Sequence, residues 1–158
     1  LKVKPAELAG RVEAALSEIR DLRHAVERYK DREMLGEADR YLLSAKNVGG
    51  MKVLTATLND TGADALRKIG DFLRDKEENV VAVLSSINGE KITFLAVCGK
   101  AAVKAGIKAG EIIENVTKIC GGSGGGKPDS AMGGGKDVLK LDDALATVDD
   151  FVAEKLGL

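Results

Sequence analysis

The most unusual stretch of this chain reads Cys120-Gly121-Gly122-Ser123-Gly124-Gly125-Gly126-Lys127-Pro128-Asp129-Ser130-Ala131-Met132-Gly133-Gly134-Gly135-Lys136-Asp137. It holds 8 of the 19 glycines of the chain. Because glycine loses the most backbone freedom on folding, such a run is kept where φ is positive or where the backbone closely approaches another group. Glycine-rich loops also expose N–H groups that bind phosphates. The stretch therefore predicts a phosphate-binding loop, with a flexible linker between two helices as the alternative.

The charged and rigid residues within this stretch favour the binding interpretation. Lys127 is expected to pair with a phosphate as a compact point charge. Pro128 is expected to stiffen the middle of the loop, and Asp129 to bind loop N–H groups and hold the turn. The predicted nucleic-acid-binding residues are Gly124, Gly125, Gly126, Lys127, Pro128, Asp129, Gly133, Gly134 and Lys136.

The same stretch resembles a known family. Its pattern Gly-Gly-Gly-Lys-Pro-Asp-x-Ala-x-x-Gly-Gly, between two amphipathic helices, is similar to the C-terminal, DHH-associated domain of alanyl-tRNA synthetases. The segment 80–91 resembles the central hairpin of that domain, and Lys108-Ala109-Gly110-Glu111 resembles the start of its next helix. Matching segments run from about Met51 to Leu156, although Met132-Gly133 stands where Gln-Ala is usual.

The resemblance implies a module that contacts tRNA, expected to be alanine tRNA, at its outer corner and joins two synthetase subunits through a long helix. It would support aminoacylation and editing in the cytoplasm. The resemblance assigns ATP, magnesium and any zinc to the catalytic and editing domains of the parent enzyme and no cofactor to this fragment. Two alternatives stay open: the substrate-binding module of a DHH-type phosphoesterase, and a pure dimerisation module that binds no tRNA.

The N-terminal part predicts one long helix with an apolar seam. Apolar residues recur at alternating spacings of four and three, as in a heptad repeat. The seam consists of Leu8, Val12, Ala15, Ile19, Leu22, Val26 and Tyr29. It predicts a coiled-coil contact in a homodimer. The alternative is a helix hairpin in which a short helix over residues 37–46 covers part of the seam.

The remainder alternates strand and helix signals. Strands are predicted over 52–58, 80–84 and 91–98, the last two joined by a turn at Asn88-Gly89. Residues 47–50 are predicted to form a turn. Helices are predicted to open at Thr61-Gly62, to run over 107–120 and to begin at residue 141. The fold class is therefore α/β: a helical dimerisation subdomain, 1–46, followed by a small mixed-sheet globular domain, 47–158, with a glycine-rich loop.

Composition narrows the classes of function. The 158 residues contain 3% aromatics, no Trp and a net charge of −1, which disfavours stacking of bases on aromatic side chains. Residues 99–140 nevertheless carry 7 Lys against 4 acids, a net of +3. No apolar run reaches membrane length, so no membrane partner is expected.

The sequence predicts no catalytic or metal centre. The single His24 lies in a charged helix, and Ser130 lacks a base at a known spacing. Cys98 and Cys120 lack a metal-ligand pattern and are expected to be reduced, buried thiols of an intracellular protein. The chain begins without Met, so we expect a fragment whose parent, an alanine–tRNA ligase by resemblance, carries the catalytic activity.

Overall fold

The computed structural model describes residues 5–158 and confirms the α/β class with a long N-terminal helix. In chain order, its elements are α1 Pro5–Leu43, β1 Lys46–Val48, β2 Met51–Asn59, α2 Ala63–Lys76, β3 Val80–Asn88, β4 Lys91–Cys98, α3 Lys100–Lys104, α4 Ala109–Ile119, β5 Ser123–Gly126, β6 Ser130–Gly135, a 3-10 turn Val138–Lys140 and α5 Leu141–Lys155. Within the described residues, the helices are too short or too polar to span a bilayer.

Helix α1 is a single helix of 39 residues, which corrects the alternative of a helix hairpin. Gly36 lies inside the helix and does not interrupt it, at a cost of about 1 kcal/mol relative to alanine. The large apolar side chains of the predicted seam are 45–73% exposed, and Leu16 extends the same strip. No residue of the described chain therefore covers this seam.

The chain divides into two compact units, one up to Gly36 and one over Glu37–Leu158. The sequence predicts a boundary between residues 46 and 47. Helix α1 ends at Leu43, which lies between the predicted and the observed boundary. Residues 37–43 belong to the second unit, where Ala38 is fully buried and Lys76 forms an ion pair with Asp39. The last turns of α1 therefore pack as part of the globular unit.

The globular unit contains one six-stranded sheet in the order β1-β2-β3-β4-β6-β5. Strands β2 and β3 are parallel and are connected by α2, and every other neighbouring pair is antiparallel. The predicted β3–β4 hairpin is confirmed, and Gly89 supplies the positive φ of 64° that its two-residue turn requires. The predicted strands 80–84 and 91–98 are the two central strands.

The glycine-rich segment is not a loop but a β-hairpin, and this is the main correction to the predicted fold. Six of its glycines lie in strands, three in β5 and three in β6, and residues 127–129 form the turn between them. Glycine disfavours strands by propensity, so the hairpin depends on its neighbours. Two short elements were also missed: Lys46–Val48 pairs as β1 where a turn was predicted, and α3 follows β4.

Helices cover both faces of the sheet. Helix α2 packs on β3 and β4 from one side, and α4 and α5 pack on the other. The inward residues Leu66, Ile69 and Leu73 of α2 are at most 1% exposed, and burying each contributes about 1.5–3 kcal/mol. We call the two sides the α2 face and the α4 face. The glycine hairpin lies at one edge of this sheet.

Candidate nucleic-acid interface

The turn between β5 and β6 is held rigidly by backbone hydrogen bonds. The Ala109 N–H at the start of α4 donates to the Pro128 carbonyl at 2.8 Å, and the Cys98 N–H at the end of β4 donates to the Asp129 carbonyl at 3.0 Å. Within the turn, the Lys127 N–H donates to the Ser130 carbonyl at 3.0 Å. The turn is thus fixed to two core elements, and a ligand bound there would not have to order it.

The Asp129 side chain contacts helix α2. Arg74 Nη1 lies 3.4 Å from Asp129 Oδ2, and Arg74 Nη2 lies 3.2 Å from Asp71 Oδ1. The sequence predicts that the Asp129 carboxylate binds loop N–H groups, whereas in the structure the carboxylate pairs with Arg74 and the Lys127 N–H donates to the Ser130 carbonyl. Asp129 therefore joins the turn to α2, and its negative charge is balanced by a guanidinium.

Four glycines of the hairpin serve close packing on the α4 face. A Cβ at Gly124 would lie 2.4 Å from Gly133 Cα and 2.6 Å from Ile113 Cγ2, and one at Gly133 would lie 2.7 Å from Thr117 Cγ2. A Cβ at Gly126 or Gly135 would also meet a neighbour at 2.7 Å. None of the glycines in β5 and β6 has a positive φ, so close approach, the other reason for glycine, applies here. Helix α4 excludes a side chain at Gly124 and Gly133, Cys120 does so at Gly135, and Ala131 of the paired strand does so at Gly126.

Two glycines of the hairpin face the other way. The nearest atom to a Cβ at Gly125 would be Glu114 Oε1 at 4.0 Å, and for Gly134 it would be the Ile92 carbonyl oxygen at 3.4 Å. Gly125 pairs with Met132, and Gly134 with Ser123 on one side and Thr93 on the other. Since successive residues of a strand alternate in direction, these positions share the α2 face. The hairpin backbone is therefore accessible from that face.

The two predicted lysines lie at opposite ends of the hairpin. Lys127 belongs to the turn, whereas the Lys136 N–H bonds to the Cys120 carbonyl at 2.9 Å beyond the other end of β6. Strand β6 has five residue steps, which is about 17 Å at a rise of about 3.4 Å per residue. One phosphate cannot contact both lysines. The arrangement suits an extended ligand that runs along the hairpin.

Comparison with known proteins identifies the family. A model of the DHHA1 domain matches residues 50–154, about two thirds of the chain. The chain belongs to the DHHA1 domain family. It is 41% identical to an alanine–tRNA ligase of Methylobacillus flagellatus over 98% of its own length and 18% of that ligase, so it spans about a fifth of such a relative.

Solved structures agree with this assignment. The C-Ala domain of Aquifex aeolicus alanyl-tRNA synthetase matches with a TM-score of 0.64 at 30% identity, over 69% of this chain and 97% of that domain. RecJ of Thermus thermophilus matches with a TM-score of 0.53 at 16% identity, over 98% of this chain and 21% of RecJ. The likeness to RecJ is one of fold alone. The predicted resemblance to the C-terminal domain of alanyl-tRNA synthetases is thus confirmed.

Several residues of this DHHA1 domain were missed by sequence reasoning. In the sequence, Arg74 is one of several cations of a predicted helix and has no distinguishing pattern. Met132 is distinguished only as a departure from the family pattern. In the structure, Arg67 Nε on α2 lies 3.1 Å from Met132 Sδ, so the side chain of Met132 contacts α2. Thr93 and Ser123 also lie on the accessible face. Their proximity depends on strand register, which no local pattern in the sequence reveals.

A pocket of about 580 Å³ adjoins the turn of the hairpin. Its charged lining is balanced, with three cations and three acids: Arg74, Lys100 and Lys104 against Asp75, Glu78 and Asp129. The described residues contain no cluster of three or more His, Cys, Asp or Glu side chains arranged to hold a metal ion. This pocket offers no excess of charge for a phosphate and no nucleophile paired with a base.

Cys98 lines the same pocket as a buried, neutral thiol. Burial raises its pKa from an ordinary value near 9 to about 12, and the Asp129 carboxylate adds to the shift. We expect both free cysteines of the folded chain to resist a disulfide reagent such as DTNB at pH 8 and to react rapidly in concentrated urea. A native Cys98 that reacts as fast as the unfolded chain would contradict this burial.

The raised pKa of Cys98 also predicts a pH dependence of stability. Above pH 9 the unfolded thiol loses its proton while the folded thiol keeps it, so the folded state is increasingly disfavoured as pH rises. The free energy of unfolding should fall by up to about 1.4 kcal/mol per pH unit from this group. Urea titrations between pH 8 and 10.5 should give a flatter dependence for Cys98→Ala than for the wild type, and equal slopes would refute the shift.

Proposed function

We propose that this chain is the C-terminal module of an alanine–tRNA ligase, that it binds tRNA through the glycine hairpin and that helix α1 joins two copies. As such a module it would act in the cytoplasm and hold tRNA for aminoacylation and editing. ATP and metal chemistry would lie in other parts of the ligase. The relatives that cover 98–99% of this chain are alanine–tRNA ligases, which favours this function over a phosphoesterase module.

The observation that carries tRNA binding is the accessible backbone of the hairpin. Gly125 and Gly134 leave the main chain open on the α2 face, and Lys127 and Lys136 stand at its two ends. A ribose–phosphate backbone could lie against such a surface without aromatic stacking, as expected for recognition of folded RNA by shape. Gly124 and Gly133 pack against α4, so we expect the ligand to approach the hairpin from the opposite, α2 face.

The support for a homodimer comes from α1. The seam from Leu8 to Tyr29 extends about 32 Å along the helix, and its large apolar side chains remain about half exposed. Apolar residues repeated in heptads bury this strip when two helices associate. A second copy of the same helix offers a matching strip, so we propose that α1 associates with α1 of a second chain.

Binding of tRNA should be salt-dependent and should involve Lys127. We expect the 158-residue chain to bind an alanine tRNA transcript in a fluorescence anisotropy titration, with affinity falling as salt rises because bound phosphates release counterions. Lys127→Ala should weaken binding about twofold to fivefold and make the plot of log K against log salt shallower by about 0.7–0.9. Lys118→Ala, which removes an exposed lysine of α4, is the matched control and should change little.

The alternatives predict different results in the same titration. A pure dimerisation module would bind no tRNA at low salt, and that outcome would overturn the tRNA-binding proposal. A phosphoesterase-type module would bind a short single-stranded DNA as tightly as it binds tRNA. Unchanged affinity and unchanged salt dependence in Lys127→Ala would remove Lys127 from the interface without removing the hairpin.

A further inference from the structure

A groove of about 560 Å³ opens beside the glycine hairpin, at the end away from the 127–129 turn. The residues of this groove that matter for binding are Glu90, Lys91, Thr93, Ser123, Gly134 and Lys136. They come from three chain segments: the start of β4, the start of β5 and the end of β6 with the residue that follows it. Of these residues, the sequence prediction contained only Gly134 and Lys136.

Two lysines line the groove together. Ile92 of β4 pairs with Gly135, the last residue of β6, so Lys91 directly precedes this pair on β4 and Lys136 follows it just beyond the end of β6. Like charges brought to one groove repel each other. Within residues 5–158, neither ammonium group forms an ion pair, and both side chains are exposed. An anion held between the two ammonium groups would offset their repulsion.

Two hydroxyls stand beside the lysines. Thr93, Gly134 and Ser123 form one row across β4, β6 and β5, so the two hydroxyl side chains lie on either side of a residue without a side chain. Lys91 is two residues from Thr93 on β4 and therefore shares the face of the row. Lys136, just beyond β6, lines the same groove. A hydroxyl donates and accepts hydrogen bonds, as the 2′-hydroxyl of ribose does. The bare backbone of Gly134 leaves room for a sugar between them.

We propose that this groove binds the ribose–phosphate backbone of RNA, with a phosphate between Lys91 and Lys136 and a ribose hydroxyl against Thr93 and Ser123. The inference rests on the proposed function, tRNA binding, and locates the contact on the α2 face at this end of the hairpin. Glu90, on the turn before β4, is the acid of the groove and opposes the phosphate.

The first test is the double variant Lys91→Ala, Lys136→Ala in an anisotropy titration with an alanine tRNA transcript. Affinity at low salt should fall about tenfold or more, and the slope of log K against log salt should become shallower by about 0.7–0.9 for the one lost phosphate contact. The matched control is Lys100→Ala, Lys104→Ala, which removes the same charge from the balanced pocket at the opposite end of β4. The control should stay within about twofold of wild type, with its slope unchanged.

Two further variants test whether the bound group is negatively charged and whether a ribose hydroxyl is contacted. Glu90→Gln removes the opposing acid, so it should tighten tRNA binding about twofold to fivefold. The salt dependence of binding should not become shallower, because no phosphate contact is lost. Combined Thr93→Val and Ser123→Ala should weaken binding of an RNA strand but leave binding of the DNA strand of the same sequence unchanged, because DNA lacks the 2′-hydroxyl. Equal losses for RNA and DNA would remove the ribose contact from the proposal.

A thermal melt separates binding from folding. Because the lysine pair is repulsive in the free protein, Lys91→Ala, Lys136→Ala should melt at or up to about 3 °C above the wild type. A lower melting temperature would contradict the repulsion and overturn the inference.

The binding results also separate this inference from the proposed function. If the wild type binds tRNA and the double variant binds within twofold with an unchanged slope, the groove is not the contact, while the proposed function stands. If the wild type binds no tRNA, both fall.

Discussion

Replacing Gly124 by alanine should lower the free energy of unfolding of the globular unit by about 2–4 kcal/mol. The added Cβ would lie 2.4 Å from Gly133 Cα, 2.6 Å from Ile113 Cγ2 and 2.7 Å from the Met132 carbonyl oxygen. Two of these three atoms are backbone atoms of β6, which is paired on both sides. Relief therefore requires moving the strand or lifting α4, and urea unfolding followed by circular dichroism would measure the loss.

The matched control is the same substitution one residue along. A Cβ at Gly125 meets no atom closer than 4.0 Å, and the backbone there has no positive φ. Gly125→Ala should therefore leave stability within about 0.5 kcal/mol of wild type, or raise it slightly because alanine restricts the unfolded chain. Equal losses at the two positions would mean that strand propensity, rather than packing under α4, accounts for the glycines.

The same pair of variants distinguishes packing from binding. If RNA lies on the α2 face, Gly125→Ala should weaken tRNA binding without lowering stability, because the methyl group stands on that face. Gly124→Ala should lower stability, and its effect on binding should follow the fraction of folded protein. The two variants would thus show whether glycines at alternate positions along β5 serve packing and RNA binding separately.

Sequence patterns predicted the central elements because each depends on neighbouring residues. Alternation of apolar residues located β2, an apolar β-branched run located β3, and the helical period located α2, α4 and α5. Gly157, with a φ of 75°, ends the last helix as its position suggests. These signals depend only on neighbouring residues, so they can be read without knowledge of the fold.

The glycine hairpin could not be predicted in the same way. Glycine has a low strand propensity, and what makes Gly124 and Gly133 strand residues is the approach of Ile113 and Thr117 from α4. The placement of Lys91 and Lys136 in one groove likewise depends on the pairing of β4 with β6, since the two residues are 45 positions apart in the chain. The glycine motif identified the segment 120–137, whereas the face of the hairpin that is accessible follows only from the arrangement of the sheet and its helices.

Replacing both Ile19 and Leu22 by aspartate should convert a dimer of the 158-residue chain into a monomer. The two residues lie in the middle of the seam of α1 and are 45% and 59% exposed in the single chain. In a helix pair, each aspartate would place an unpaired carboxylate in an apolar contact, which costs several kcal/mol. Light scattering coupled to size-exclusion chromatography at micromolar concentration would report the mass.

The control for this change adds the same two charges to the opposite side of the helix. Ser17 and His24 are exposed and lie off the seam, so Ser17→Asp with His24→Asp should remain dimeric. Circular dichroism should show the helix content of both variants, since a variant that loses α1 altogether would also be monomeric. A wild-type chain that is monomeric at micromolar concentration would remove self-association, and the exposed seam would then have to meet another part of the parent protein.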